Sequence, residues 1–311
     1  MTELSIGVDI SKHHLDAACF TSGRQARFPN DAAGLAALGR WIGAARQVAR
    51  LVYEATGRYH ARLEEVFAGW PLVKVNPLRA RRFAEACGTR AKTDAVDARM
   101  LARMGAQLQL PPDAPVSQAA RELRALQTAR AGLVRDRIAQ IQRAEQAQLP
   151  LLKRIAARAL SLVERQLAEV EAAIEARIAA DPELAGRQKI VASIPGVGPR
   201  LSATLVVEMP ELGTAPAKKI TALAGLAPMT RQSGEWRGKA RVSGGRGDVR
   251  RALYMPALNA IRHNPDMRRT YERLVAAGKP AKVAIVAVMR KLLILANTLL
   301  AEGRPWEPRS A

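Results

Sequence analysis

"LSIGVDISKHHLDAACF", residues 4–20, sets two short apolar runs on either side of the polar "ISKHH" (10–14) and leaves one acid, Asp9, at the end of the first run. Both runs have strand length. "RQARF" (24–28) supplies a third run, so the opening predicts an antiparallel meander of three strands. Helical spacing follows in "DAAGLAALGRWIGAA" (31–45), with Asp31 as the N-cap candidate. "RLVYEATG" (50–57) then reads as a strand, "YHARLEEVFAGW" (59–70) as a helix and "PLVKVNP" (71–77) as a strand. "LRARRFAEACG" (78–88) and "DAVDARMLARMGAQL" (94–108) are helical. A meander followed by strand–helix units implies a mixed α/β sheet covered by helices.

The rest of the chain is of another kind. "PPDAP" (111–115) breaks the pattern as a linker, and beyond it apolar residues recur at steps of mostly three or four. They run through Leu123, Leu126, Leu133, Ile138 and Ile141, and again from Leu152 and Ile155 to Ile174 and Ile178, with Pro150 near the turn. This is a long helical pair, either a dimerising coiled coil or an ordinary helical hairpin. A third unit starts near Gly186. The expected domains are residues 1–112, 116–183 and 186–311. The apolar "KVAIVAVMRKLLILANTLL" (282–300) carries Arg290 and Lys291 at its middle and reads as a buried amphipathic helix, with no membrane partner expected.

Charge points to the partner. Among 311 residues, 49 Lys and Arg stand against 28 Asp and Glu, a net +21, spread along the whole chain. That is the charge of a polyanion binder. Aromatics make up only 4%, which argues against base-stacking platforms and for Arg and Lys contacts to the phosphates of a duplex. Cys19 and Cys87 form no ligand spacing, so two small buried residues in a reducing cytoplasm are expected, with no zinc site. No basic start or long apolar core of a signal peptide is seen at the N-terminus.

Asp9 gains meaning beside three other acids. Glu54 ends the fourth strand, and Asp94 and Asp97 lie three apart, nearly one turn, on one helix. If the first strand is central, the ends of strands one and four are neighbours, and a helix across them brings the last two acids in. Four carboxylates in one place repel one another unless cations neutralise them, and hard oxygen donors select Mg2+ or Mn2+. Ordinary ion pairs with Arg58, Arg90, Lys92 and Arg99 are the alternative.

In the third unit, "SIPGVGPRLSATLVVE" (193–208) has a helix–hairpin–helix pattern in which Gly196 and Gly198 permit a tight turn facing a phosphate. "TRQSGEWRGKARVSGGRGDVRR" (230–251) is too polar for a core and crowds Arg231, Arg237, Lys239, Arg241 and Arg246 around two Ser-Gly pairs, at Ser233 and Ser243. An exposed serine among cations suits attack on a phosphodiester, although hydrogen bonding in a turn is the plain role of such a residue.

"GVDISKHHLDA" (7–17), "VYEATGRYH" (52–60), "NPLRARRFAEACGTRAKTDAVDARMLA" (76–102), "IPGVGPRLSATLVVE" (194–208) and "LAGLAPMTRQSGEWRGKARVSGGRGDVRRALYMPALNAIRHNP" (223–265) occur in that order. Together they resemble the DEDD-type insertion-sequence transposases related to Piv DNA invertases, a family of bridge-RNA-guided recombinases. The resemblance spans nearly the whole chain. It implies a RuvC-like, RNase H-type N-terminal domain, a coiled-coil connector and a mainly helical C-terminal domain with a nucleophilic serine. Asp9, Glu54, Asp94 and Asp97 match the family's four acids, and the Ser-Gly shortly after "LAGLAP" makes Ser233 the nucleophile, with Ser243 the weaker candidate.

The expectation is therefore a site-specific DNA recombinase with Mg2+ or Mn2+ on the four acids, Ser233 forming a transient 5′-phosphoserine bond, and no ATP requirement. Expected partners are donor and target double-stranded DNA, a guide (bridge) RNA, and further copies of the chain as a dimer that becomes a tetramer. The expected location is the bacterial cytoplasm, at the nucleoid. A RuvC-like nuclease using metal-activated water and a non-enzymatic basic nucleic-acid-binding protein are the rivals.

Overall fold

The computed structural model describes residues 4–308 except 45–46, 56, 58, 90–92, 115–116, 231, 235 and 239. The chain divides into two compact units, Met1–Val116 and Ser117–Ala311.

In the first unit, β1 (Leu4–Ile10), β2 (His14–Cys19) and β3 (Gln25–Pro29) form the meander, followed by α1 (Ala32–Ile42), β4 (Val48–Glu54), α2 (Ala61–Val66), β5 (Leu72–Val75), α3 (Pro77–Ala86) and α4 (Asp94–Gln107). The sheet order is β3-β2-β1-β4-β5, with β1 central. β1 runs antiparallel to β2 and parallel to β4, and β4 runs parallel to β5. Asp31 caps α1 by accepting from the Gly34 amide at 2.8 Å. One face of the sheet packs Ile6, Val8, Leu15, Leu51 and Tyr53 on Leu35, Leu38, Leu63 and Phe67. The other face is the seat of α4, through Val52, Leu101 and Met104 and a patch of small residues, Ala18, Ala98 and Ala102. Cys19 is buried, whereas Cys87 is partly exposed at the end of α3, because that helix turns no residue fully inward.

The second unit begins with α5 (Gln118–Gln146) and α6 (Pro150–Ala179), the long helical pair. Its base enters the core through Leu123, Ile174 and Ile178. Its length is laced by Arg177–Glu122 at 3.3 Å, Arg130–Glu171 at 2.9 Å and Arg137–Glu164 at 3.1 Å. Near the turn, Ile138, Leu149, Leu151, Leu152 and Ile155 are exposed.

After these come α7 (Pro182–Ala192), α8 (Pro199–Glu208) and α9 (Ala217–Leu223), then four two-residue strands, β6 (Pro228–Met229), β7 (Gln232–Ser233), β8 (Trp236–Arg237) and β9 (Arg241–Val242). The chain closes with α10 (Gly247–Ala252), α11 (Tyr254–His263), α12 (Pro265–Ala276) and α13 (Ala281–Glu302). By length and composition α13 could cross a membrane. Here it is a core helix: Ile285, Val288, Leu292, Leu293, Ala296 and Leu299 are buried in the unit's apolar cluster. Buried Asn297 fastens it by accepting from the Gly213 amide at 2.9 Å and donating to the Ala215 carbonyl at 3.1 Å.

Candidate active site

Two glycines bring α4 onto the sheet. A Cβ on Gly7 would stand 2.1 Å from the Ala98 carbonyl oxygen and 2.3 Å from the Ala102 amide nitrogen, so only glycine lets β1 and α4 approach this closely. A Cβ on Gly105 would stand 2.5 Å from the Val52 side chain and 2.7 Å from the Ser5 hydroxyl, which donates to the Ala102 carbonyl at 2.9 Å. Thr93 caps α4 through the Val96 amide at 3.3 Å, which sets Asp94 and Asp97 in its first turn. Acids are favoured there by the helix dipole.

The parallel register pairs Val8 with Tyr53, which places Asp9 and Glu54 side by side at the ends of β1 and β4. Asp9, Glu54, Asp94 and Asp97 all line one cleft of about 600 Å3, whose other wall is α3, with Leu78 and Arg81. The Asp9 carboxyl is pushed up from 3.8 to about 6, first by burial, then by the charges of Asp97, Asp94, Glu54 and Asp16. Burial and the neighbouring carboxylates therefore make ionisation of Asp9 costly.

Among the described residues, no three acid, histidine or cysteine side chains stand close enough to enclose one metal ion. The donor set nonetheless fits a hard divalent cation: four carboxylates face one open cleft, and the charge that raises Asp9 is what such a cation relieves.

Sequence reasoning missed two members of this neighbourhood. Asp16 lies directly opposite Asp9 across β1–β2 and is buried, and Arg27 lies opposite Asp16 across β2–β3. Arg27 grips Asp16 through Nε at 3.0 Å and Nη2 at 3.0 Å, and the same Nη2 donates to Asp94 Oδ2 at 3.1 Å. The cross-strand pairing was the available signal, since it follows from the turn length.

In the second unit, Ser233 sits in β7, paired with Trp236 of β8 across a two-position connection, and Gly234 adopts φ +57, which a tight hairpin requires. Ser233 is exposed and its hydroxyl makes no hydrogen bond to a described residue. Ser243 is engaged instead, its hydroxyl 3.1 Å from Met229 Sδ. The ribbon is closed at its base by glycines: a Cβ on Gly245 would stand 2.2 Å from the Gly225 amide nitrogen. Arg250 Nη1 donates to the carbonyls of Gly244 at 2.7 Å and Gly225 at 3.3 Å, which locks that crossing.

The basic residues divide. Arg241 is exposed, while Arg246 makes a forked pair with Glu211 at 2.7 and 2.6 Å. Arg231 and Lys239 lie outside the described residues, as does the side chain of Arg237. Gly198 caps α8 with open space around it, whereas Gly196, at φ +93, is filled by α11, its Cβ position lying 2.5 Å from Ala260 Cα.

Residues 6–154 match the DEDD-type IS110 family described as "Transposase", and residues 188–272 match the one described as "Transposase IS116/IS110/IS902 family". The pilin gene-inverting protein of Moraxella bovis is 31% identical over 325 residues, covering 99% of this chain and 99% of that protein. The pilin gene-inverting protein of Moraxella lacunata is 31% identical over 324 residues with the same coverage. An insertion element IS110 uncharacterized 43.6 kDa protein of Streptomyces coelicolor is 31% identical over 155 residues, 49% of this chain and 37% of the relative.

The chain is an IS110-family DEDD-type transposase.

As such it is an enzyme of DNA recombination, and its five-stranded mixed sheet with flanking helices is consistent with a RuvC-like fold. The four carboxylates line the cleft of the first unit, and Ser233 lies on an exposed ribbon of the second.

Proposed function

We propose that the transposase cuts and rejoins DNA strands through Ser233, with Asp9, Glu54, Asp94 and Asp97 holding Mg2+ or Mn2+. The observation that carries this reading is the one cleft lined by all four carboxylates, where burial and then the charges of the other acids raise the Asp9 carboxyl. A bound divalent cation there supplies Lewis-acid stabilisation of charge on phosphate oxygens. Ser233 Oγ bonds to phosphorus, the bond to the 3′ oxygen breaks, and the serine proton ends on that 3′ oxygen. The 5′-phosphoserine link keeps the phosphodiester energy, so attack by another 3′ hydroxyl reseals the strand and frees the serine. The hydroxyl needs activation, so Ser233 acts when its ribbon is presented to an acidic cleft of the same or another subunit.

The substrates are donor and target duplexes chosen by a folded guide RNA. Net charge +21 and scarce aromatics support recognition of phosphate backbones. The loop around Gly196 and Gly198 acts as a helix–hairpin–helix backbone contact, and exposed Arg241 lies along the nucleic acid with Arg231, Arg237 and Lys239. The α5–α6 pair associates subunits as a coiled coil, supported by the exposed apolar residues near its turn, giving a dimer that becomes a tetramer on nucleic acid. The enzyme works in the cytoplasm, on nucleoid DNA.

The test is cleavage of labelled DNA with RNA and Mg2+, read by denaturing electrophoresis. Asp9→Asn and Asp94→Asn should abolish cleavage while nucleic-acid binding persists, and EDTA should stop the wild type. Undiminished activity in EDTA refutes the metal assignment. Cleaved products without a protein adduct hand the case to a water-using nuclease.

A further inference from the structure

Asp9, Asp16 and Arg27 form a row across β1, β2 and β3, each opposite the next in register. Asp16 is the buried member, its side chain 9% exposed against 54% for Arg27. Three contacts to Asp16, at 3.0, 3.2 and 3.0 Å, fix the plane of the guanidinium. A forked, bidentate grip of this kind fixes orientation as well as charge. The plane so fixed aims Nη2 at Asp94 Oδ2, 3.1 Å away, at the first residue of α4.

Asp94 has little else to steady it. Its side chain is 53% exposed, and among the described residues its carboxylate takes no other hydrogen bond. An exposed pair contributes little to stability, so the consequence of this contact is geometric. With Oδ2 tied to Arg27, Oδ1 takes no hydrogen bond from a described residue.

We propose that Arg27, held by Asp16, is a positioning residue that orients Asp94 for metal ligation. This rests on the reading that the four acids hold a divalent cation. Arg27 itself touches neither cation nor DNA. Partners that orient metal ligands from behind commonly contribute about tenfold or more to metal affinity.

Electrostatics alone predicts the opposite sign for simple removal of Arg27, since losing a cation beside carboxylates strengthens metal binding. The deciding variant is therefore the charge-conserving pair Asp16→Asn with Arg27→Gln, which removes the fork and leaves the net charge unchanged. It also removes the buried carboxylate together with its partner, so the fold is kept; circular dichroism and melting check this. Arg27→Lys is the second variant, keeping charge and losing the fork.

Mn2+ binding to the full chain is followed by electron paramagnetic resonance of the free ion. The expected result is that the double variant and Arg27→Lys bind Mn2+ about tenfold more weakly than wild type, while Asp9→Asn loses binding. Both variants should regain cleavage at raised Mn2+. Affinities within about twofold of wild type, with Asp9→Asn still defective, overturn the role of Arg27 alone. Mn2+ binding unaffected by Asp9→Asn overturns the metal assignment itself, and this proposal with it.

Discussion

Gly7 lies so close beneath Ala98 that a methyl group on it would stand 2.1 Å from the Ala98 carbonyl oxygen. The obstacle is helix backbone, which cannot rotate aside, so α4 would have to lift from β1. That helix carries Asp94 and Asp97, and β1 carries Asp9. Gly7→Ala should therefore cost about 3 kcal/mol of stability and reduce strand cleavage more than nucleic-acid binding. Thermal melts and filter binding beside the cleavage assay check both; a stable, fully active Gly7→Ala protein would contradict the tight seating.

The Asp9 carboxyl gives a prediction with a definite sign. Its value is raised from 3.8 to about 6 by burial and by neighbouring carboxylates, so the folded state holds this proton more tightly than the unfolded chain does. The stabilising contribution is present below about pH 4 and is lost as pH rises through about 6. At neutral pH without metal, ionised Asp9 is a cost of on the order of 1–2 kcal/mol once screening by solvent is allowed for. Asp9→Asn should then raise the melting temperature in EDTA near neutral pH, with the gain shrinking towards about pH 4. Added Mg2+ should stabilise wild type and not the variant. A variant that melts below wild type in EDTA at neutral pH is the contrary result.

The exposed end of the helical pair predicts association. Leu152 is 48% and Ile155 53% exposed, and single exposed changes rarely move stability by more than about 0.5 kcal/mol. Leu152→Glu with Ile155→Glu should leave the melting temperature nearly unchanged and shift the light-scattering mass to the monomer. Recombination should fall with it. An unchanged mass would place the subunit contact elsewhere.

How much of this was legible in the sequence follows from the range of the interactions. Central β1 and the four-acid cleft came from local signals, strand ends and a one-turn spacing, and the structure brings Asp9, Glu54, Asp94 and Asp97 to one cleft. Asp16 and Arg27 were missed because their roles depend on which residues stand opposite across β1, β2 and β3, a register that comes from the turns together with the apolar pattern and not from any one strand read alone. The forked pair of Arg246 with Glu211 was not legible, because the two lie 35 residues apart. Gly196 is a glycine for a reason the motif hides, the approach of α11, which only tertiary packing reveals.

Ser233 and Ser243 separate most sharply. Both precede glycine in the same basic segment, yet the Ser233 hydroxyl, on an exposed hairpin, bonds to none of the described residues, while that of Ser243 contacts Met229 beside the Gly225–Gly245 crossing. Ser233→Ala removes one exposed oxygen and should change stability by less than about 0.5 kcal/mol. If its Oγ is the nucleophile, that change should abolish cleavage and the covalent protein–DNA adduct together, since no other group at that position can bond to phosphorus. Ser233→Cys, which keeps a nucleophile of different size and acidity, should retain at most a trace of adduct. Ser243→Ala should still cleave, more slowly, because the glycine crossing and Arg250 hold the base of the ribbon without the hydroxyl. Denaturing electrophoresis with labelled DNA, followed by peptide mapping of the adduct, reads all three variants. An adduct mapping to Ser243 would move the nucleophile ten residues along the ribbon, and wild-type cleavage by Ser233→Ala would leave the serine with no chemical part in the reaction.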